Sequence, residues 1–136
     1  MGSDGILVSQ QKRTWCYIDR CYNFEDNRPG KWIDVKCHMG DEPGVSVKEL
    51  IEIGKYNRDH PDKVCGRYND YQTQKGLMFL RTLDDDDIVR LVPDDGMTDE
   101  YMEIEFGKGW DKDDNNRVEE RDHSHSEYRE WDEYKP

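Results

Sequence analysis

Side chains able to do chemistry are abundant in this chain, but they are mostly of one kind. Its 136 residues carry 32 Asp and Glu and 20 Lys and Arg, with 4 Cys and 4 His. Cys16, Cys21, Cys37 and Cys65 with His38, His60, His123 and His125 hold the atoms for a thiolate and its base. None lies in a nucleophile elbow or signature loop, and no glycine-rich phosphate loop occurs. Carboxylates are so numerous that picking two as an acid and base pair would be arbitrary, so the chain reads as a non-enzyme. Four thiolates, or three with His38, can close a tetrahedral zinc site. The spacing argues against it, because Cys16 and Cys21 fall five apart on one expected strand and point to opposite faces. A small disulfide- or zinc-stabilised domain is thus an alternative, behind structural thiols. The pair His123 and His125 reads as solvated rather than as a metal site.

The carboxylates matter more for where they fall. Residues 1–83 hold 13 Lys and Arg against 12 Asp and Glu, net +1, whereas residues 84–136 hold 7 against 20, net −13, which together give the −12 of the whole chain. Such a surface repels a phosphate backbone, so direct binding of nucleic acid is not expected. It attracts a basic protein surface, and a nucleic-acid-binding protein above all, because carboxylates can imitate phosphates. The expected contact residues are Asp84, Asp85, Asp86, Asp87, Glu103 and Glu105, with Asp94, Asp95, Asp99 and Glu100 beside them. Trp110, Tyr128, Trp131 and Tyr134 supply aromatic anchors, since exposed ion pairs alone contribute only ~0–1 kcal/mol each. The leading expectation is therefore a non-enzymatic acidic binding protein: a nucleic-acid-mimic inhibitor or an accessory subunit of a larger complex.

Residues 111–122 add a second expectation. The stretch DKDDNNRVEERD resembles an EF-hand calcium loop, in which oxygen ligands fall at positions 1, 3, 5, 7 and 12 and an aliphatic residue stands at position 8. The resemblance places Asp111, Asp113, Asn115, the Arg117 carbonyl and Asp122 as calcium ligands and Val118 as the aliphatic residue. Three departures weaken it. Asn116 replaces the glycine of the bend, Asp122 has less reach than a bidentate Glu, and Gly107 and Gly109 undermine a preceding helix. Calcium is accordingly the one cofactor considered, zinc is disfavoured, and a solvated acidic tail is the favoured reading of this stretch.

The elements that must position these residues follow from periodicity. With 33% hydrophobic residues the core must be small. Residues 13–39 read as a β-hairpin turning at residues 25–30, with Ile18, Tyr22, Phe24, Ile33, Val35, Cys37 and Met39 on one face and Tyr17, Cys21, Trp32 and His38 among those on the other. Ser46 with Glu49 makes a capping box and Val45 with Leu50 a hydrophobic staple, which start a helix over residues 47–58 that Pro61 prevents from extending. Residues 63–68, 76–83, 88–92 and 101–106 read as extended; in the last, Met102, Ile104 and Phe106 alternate with Tyr101, Glu103 and Glu105. The expected fold is α+β: a small mixed or antiparallel sheet with one main helix, in an element order like that of a β-grasp. The expected organisation is an N-terminal arm (1–11), a domain (12–106) and an acidic, aromatic-bearing tail (107–136). No apolar run approaches the ~18–20 residues that span a bilayer, and residues 1–11 lack a secretory pattern, so a cytoplasmic protein without a membrane partner is expected.

Overall fold

The apolar run Ile6-Leu7-Val8 becomes the centre of the fold. A computed structural model describes residues 5–18, 24–30, 35, 44–60, 74–94, 96–112 and 116–118. Strands β1 (Gly5–Ser9), β2 (Thr14–Ile18), β3 (Val45–Ser46) and β4 (Ile88–Pro93) form one sheet in the order β2-β1-β4-β3. Every neighbouring pair is antiparallel, so the sheet is the antiparallel one of the two expected kinds. Helices α1 (Val47–Asp59), α2 (Gln74–Leu80) and α3 (Thr98–Phe106) pack around it, and a 3-10 turn spans Trp110–Lys112. The chain is an α+β protein. No helix among the described residues is long and apolar enough to cross a membrane.

All of β1 is buried, because the sheet is covered on both faces. Leu7, Cys16, Ile18, Val89 and Leu91 point to one side and meet Leu50, Ile53, Leu77 and Leu80 of α1 and α2. Ile6, Val8, Trp15 and Val92 point to the other and meet Tyr101 and Met102 of α3 with Trp110. The alternation along each strand assigns residues to these two cores.

Helix α1 starts as its sequence dictates. Ser46 Oγ accepts from the Glu49 backbone N–H at 3.1 Å, and Val45 and Leu50 are both buried. The acidic turn at residues 84–87 satisfies two more of the helix's open donors: the Asp87 carbonyl accepts from Val47 N–H (2.9 Å) and the Asp85 carbonyl from Lys48 N–H (3.0 Å). The helix ends one residue beyond the expected point, with His60 as its cap, directly before Pro61.

Four expectations are corrected. Residues 5–9 are the central strand rather than part of an arm, since their apolar run needs partners on both edges. Strand β2 pairs with β1, with Ser9 opposite Thr14, instead of opening a hairpin within residues 13–39. The connecting turn is short enough to place Arg13 in the left-handed region (φ 56°). Phe24 lies in a buried 3-10 turn, and Val35 lies alongside β4, its carbonyl accepting from Leu91 N–H at 2.7 Å. The remaining pairs of that hairpin, Tyr22, Ile33, Cys37 and Met39 included, lie outside the described residues, as does the strand expected at 63–68. Residues 76–80 are helical, and residues 101–106 belong to α3. In α3 the spacing Thr98, Tyr101, Met102 is a helical i, i+3, i+4 pattern that prevails over the alternation, and Ile104 is left 65% exposed. Among the described residues the later chain therefore runs helix, strand, helix, in place of the strands expected at 76–83 and 101–106.

Candidate functional site

The site grows out of one face of β2. Trp15 and Tyr17, two apart on the strand, project to the α3 side, where their rings meet edge to face at 4.9 Å. Gly107 (φ 95°) and Gly109 (φ 82°) take left-handed conformations that fold the chain back from the end of α3, seating Trp110 on the same pair. Trp110 lies 5.1 Å from Trp15 and 6.3 Å from Tyr17, ring centre to ring centre. The expected tail is thus core at this point: Trp110 is 6% exposed and a member of the second core cluster.

Beside these rings is a cavity of about 230 Å³, walled by Tyr17 and Trp110, floored by Ile6 and rimmed by Asp94, Asp99 and Asp111. Its described walls hold three carboxylates and no basic side chain. Their field converges on the Tyr17 hydroxyl. Burial first, then Asp111, and to a smaller degree Asp94 and Asp99, push the phenol above its ordinary value of 10.0, while Arg117 pulls the other way. Three elements supply the acids: the end of β4, the first turn of α3 and the 3-10 turn. Such a pocket, aromatic on its walls and anionic at its rim, is chemically suited to an organic cation.

Arg117 reaches the site from a further segment. Trp15 N–H donates to the Asn116 carbonyl (2.9 Å) and Val118 N–H to the Trp15 carbonyl (2.8 Å), a single parallel bridge on the open edge of β2. The Arg117 guanidinium lies over the rings of Tyr17 (5.1 Å) and Trp15 (5.6 Å). Val118 packs against the opposite core cluster.

The residues expected from sequence divide among several places. Asp84 and Asp87 both pair with Lys12, at 2.7 and 3.2 Å, and Asp87, only 5% exposed, also accepts from the Asp84 N–H. Asp85, Asp86 and Glu103 are exposed. Glu105 is held by Arg13, which bonds both its carboxylate and its carbonyl and covers Phe106 at 5.0 Å. Trp110 is in the pocket wall. Tyr128, Trp131 and Tyr134 lie outside the described residues. Of the calcium positions, Asp111 lines the pocket and Arg117 lies over the Trp15 and Tyr17 rings, while Asp113, Asn115 and Asp122 lie outside the described residues. Among the described residues no group of three or more His, Cys, Asp or Glu is placed to hold a metal ion. Cys16 is buried, its thiol directed at the Tyr17 carbonyl (3.2 Å); Cys21, Cys37 and Cys65 lie outside the described residues.

The sequence alone does not single out Tyr17, which falls on the strand face opposite Ile18, nor does it set Asp94 and Asp99 apart from the other carboxylates. The available signal was the Trp15, Tyr17 spacing on one strand face together with the aromatic Trp110 after two glycines. No protein-family model matches the chain, and neither a characterised protein nor a solved structure is found to be similar to it.

Proposed function

We propose that this chain is a non-enzymatic acidic binding protein that docks on a basic protein surface, as an inhibitor that imitates nucleic acid or as an accessory subunit. The observation that supports this reading is the pocket, where Asp94, Asp99 and Asp111 line the same cavity as the rings of Tyr17 and Trp110. Carboxylates scattered on a solvated surface attract weakly and are screened within ~10 Å at 0.1 M salt. Carboxylates gathered at the rim of an aromatic cavity are different. A cation entering there sheds water, stacks on π faces and donates charge-assisted hydrogen bonds to the carboxylates, each worth about 1.5–3 kcal/mol. Asp85, Asp86 and Glu103, exposed on other surfaces, would add long-range attraction and speed association.

The test compares two triple variants that lose the same charge. Binding of a labelled arginine- and lysine-rich peptide is measured by fluorescence anisotropy from low to high salt. Asp94→Asn, Asp99→Asn and Asp111→Asn together should weaken binding at least about tenfold more than Asp85→Asn, Asp86→Asn and Glu103→Gln together. Binding indifferent to salt would end the electrostatic reading. Equal losses in the two variants would reduce it to net charge alone.

A further inference from the structure

The open edge of β2 already holds an occupant, and its manner of binding describes what else could bind there. Asn116, Arg117 and Val118 lie along the strand, with two backbone hydrogen bonds to Trp15. The guanidinium of Arg117 stacks over Trp15 and Tyr17 on one face, and Val118 packs into the first core cluster on the other. This is the chemistry of strand addition: main-chain bonds give affinity and alternate side chains give specificity. Strand β2 itself runs on past this bridge through Tyr17 to Ile18.

Period-two geometry says which residue of a strand added there would come next on this face. In a parallel pairing that sets residue 117 opposite Trp15, the residue two further on comes opposite Tyr17 and shares its face. That face opens on the pocket rimmed by Asp94, Asp99 and Asp111. A basic residue there would meet a field of opposite sign, and the aromatic walls favour a planar guanidinium.

We infer that the β2 edge is a docking site for an extended segment of a basic partner with the pattern arginine, aliphatic residue, arginine, running parallel to β2 and displacing residues 116–118. The first arginine takes the place of Arg117 on Trp15 and Tyr17, the aliphatic residue that of Val118, and the second arginine enters the acidic pocket. The inference rests on the proposed binding of basic proteins and names the part of the partner that is read.

The experiment uses the full chain and short blocked peptides labelled for anisotropy. One contains Asn-Arg-Val-Arg, a second the chain's own Asn-Arg-Val-Glu, a third the Asn-Arg-Val-Arg composition in scrambled order, and a fourth Asn-Arg-Val-Arg methylated at the valine nitrogen. Methylation removes the donor that Val118 uses while leaving charge untouched, so the fourth peptide should bind about tenfold more weakly than the first. The second and third should also bind more weakly than the first. An Arg117→Ala chain, with its own occupant loosened, should bind the first peptide more tightly; its near-ultraviolet circular dichroism establishes that it is folded. If methylated and scrambled peptides bind as well as the parent, strand addition is overturned while attraction for basic sequences stands. If no basic peptide binds, both readings fall.

Discussion

Tyr17 reports on the site more directly than any other side chain, because burial and three carboxylates all act on its hydroxyl. Its folded pKa lies above the unfolded value of 10.0, so the native state holds the phenolic proton more tightly. The stability this contributes is fully present below pH 10 and is lost as the pH rises through the folded pKa. An ultraviolet tyrosinate titration should show a late-ionising tyrosine that is missing in Tyr17→Phe. Asp111→Asn should move that titration down toward 10, and Arg117→Ala should move it further up, since the guanidinium is the opposing influence. A second residue-scale prediction concerns Gly76. A Cβ there would fall on the Phe24 ring, which is fully buried. Alanine would gain about 1 kcal/mol of helix propensity but overpack the core by about 1–3 kcal/mol. The Gly76→Ala chain should therefore be less stable in urea unfolding, and adding Phe24→Leu should recover part of the loss.

Helix α1 and the acidic turn at residues 84–87 form one device at the scale of elements. The turn's carbonyls accept from Val47 and Lys48, Ser46 caps Glu49, and Asp87 is tied to the Asp84 N–H and to Lys12. Half of a turn that reads in the sequence as binding surface is thus spent on holding the start of a helix. Ser46→Ala should lower unfolding stability by about 1 kcal/mol, and Ser46→Asp should retain most of it, as measured by urea denaturation. The opposite end of the same helix carries Asn57, fully buried, which donates to the Glu25 carbonyl (2.9 Å) and accepts from Asn27 (3.0 Å). Its amide ties the residue 24–30 segment to α1. The capping signals of α1 were legible because they act within four residues. The α3 pattern was ambiguous for the same reason: within so short a span, alternation and helical spacing share several positions, and only packing against Ile6, Val8 and Val92 selects between them.

A net charge of −12 opposes compaction across the whole molecule, and added salt screens that repulsion. Raising salt from about 50 to 500 mM should therefore raise the thermal unfolding midpoint of the isolated chain while weakening its affinity for basic peptides. These two responses have opposite signs, and calorimetry and anisotropy on one sample series would measure both. A midpoint that fell with salt would mean that internal pairs, such as Arg28 with Asp26 and Glu49, outweigh the self-repulsion.

The amino-acid order by itself determined what is local: the α1 start at Ser46, its end before Pro61, the strand at 88–92 and the excess of carboxylates after residue 83. Capping, proline geometry and composition need no distant partner to be read. Contacts between distant stretches were decided only by the tertiary structure. Residues 5–9 become a central strand because β2 and β4 arrive on their two edges, and Trp110 becomes core because two left-handed glycines return it to β2. Asp94, Asp99 and Asp111, which read as members of a long acidic run, become a site because a turn, a helix start and a 3-10 turn set them around Tyr17. A carboxylate's type is written in the sequence, but the field it makes depends on which others stand within a few ångströms, and that distance is fixed by packing.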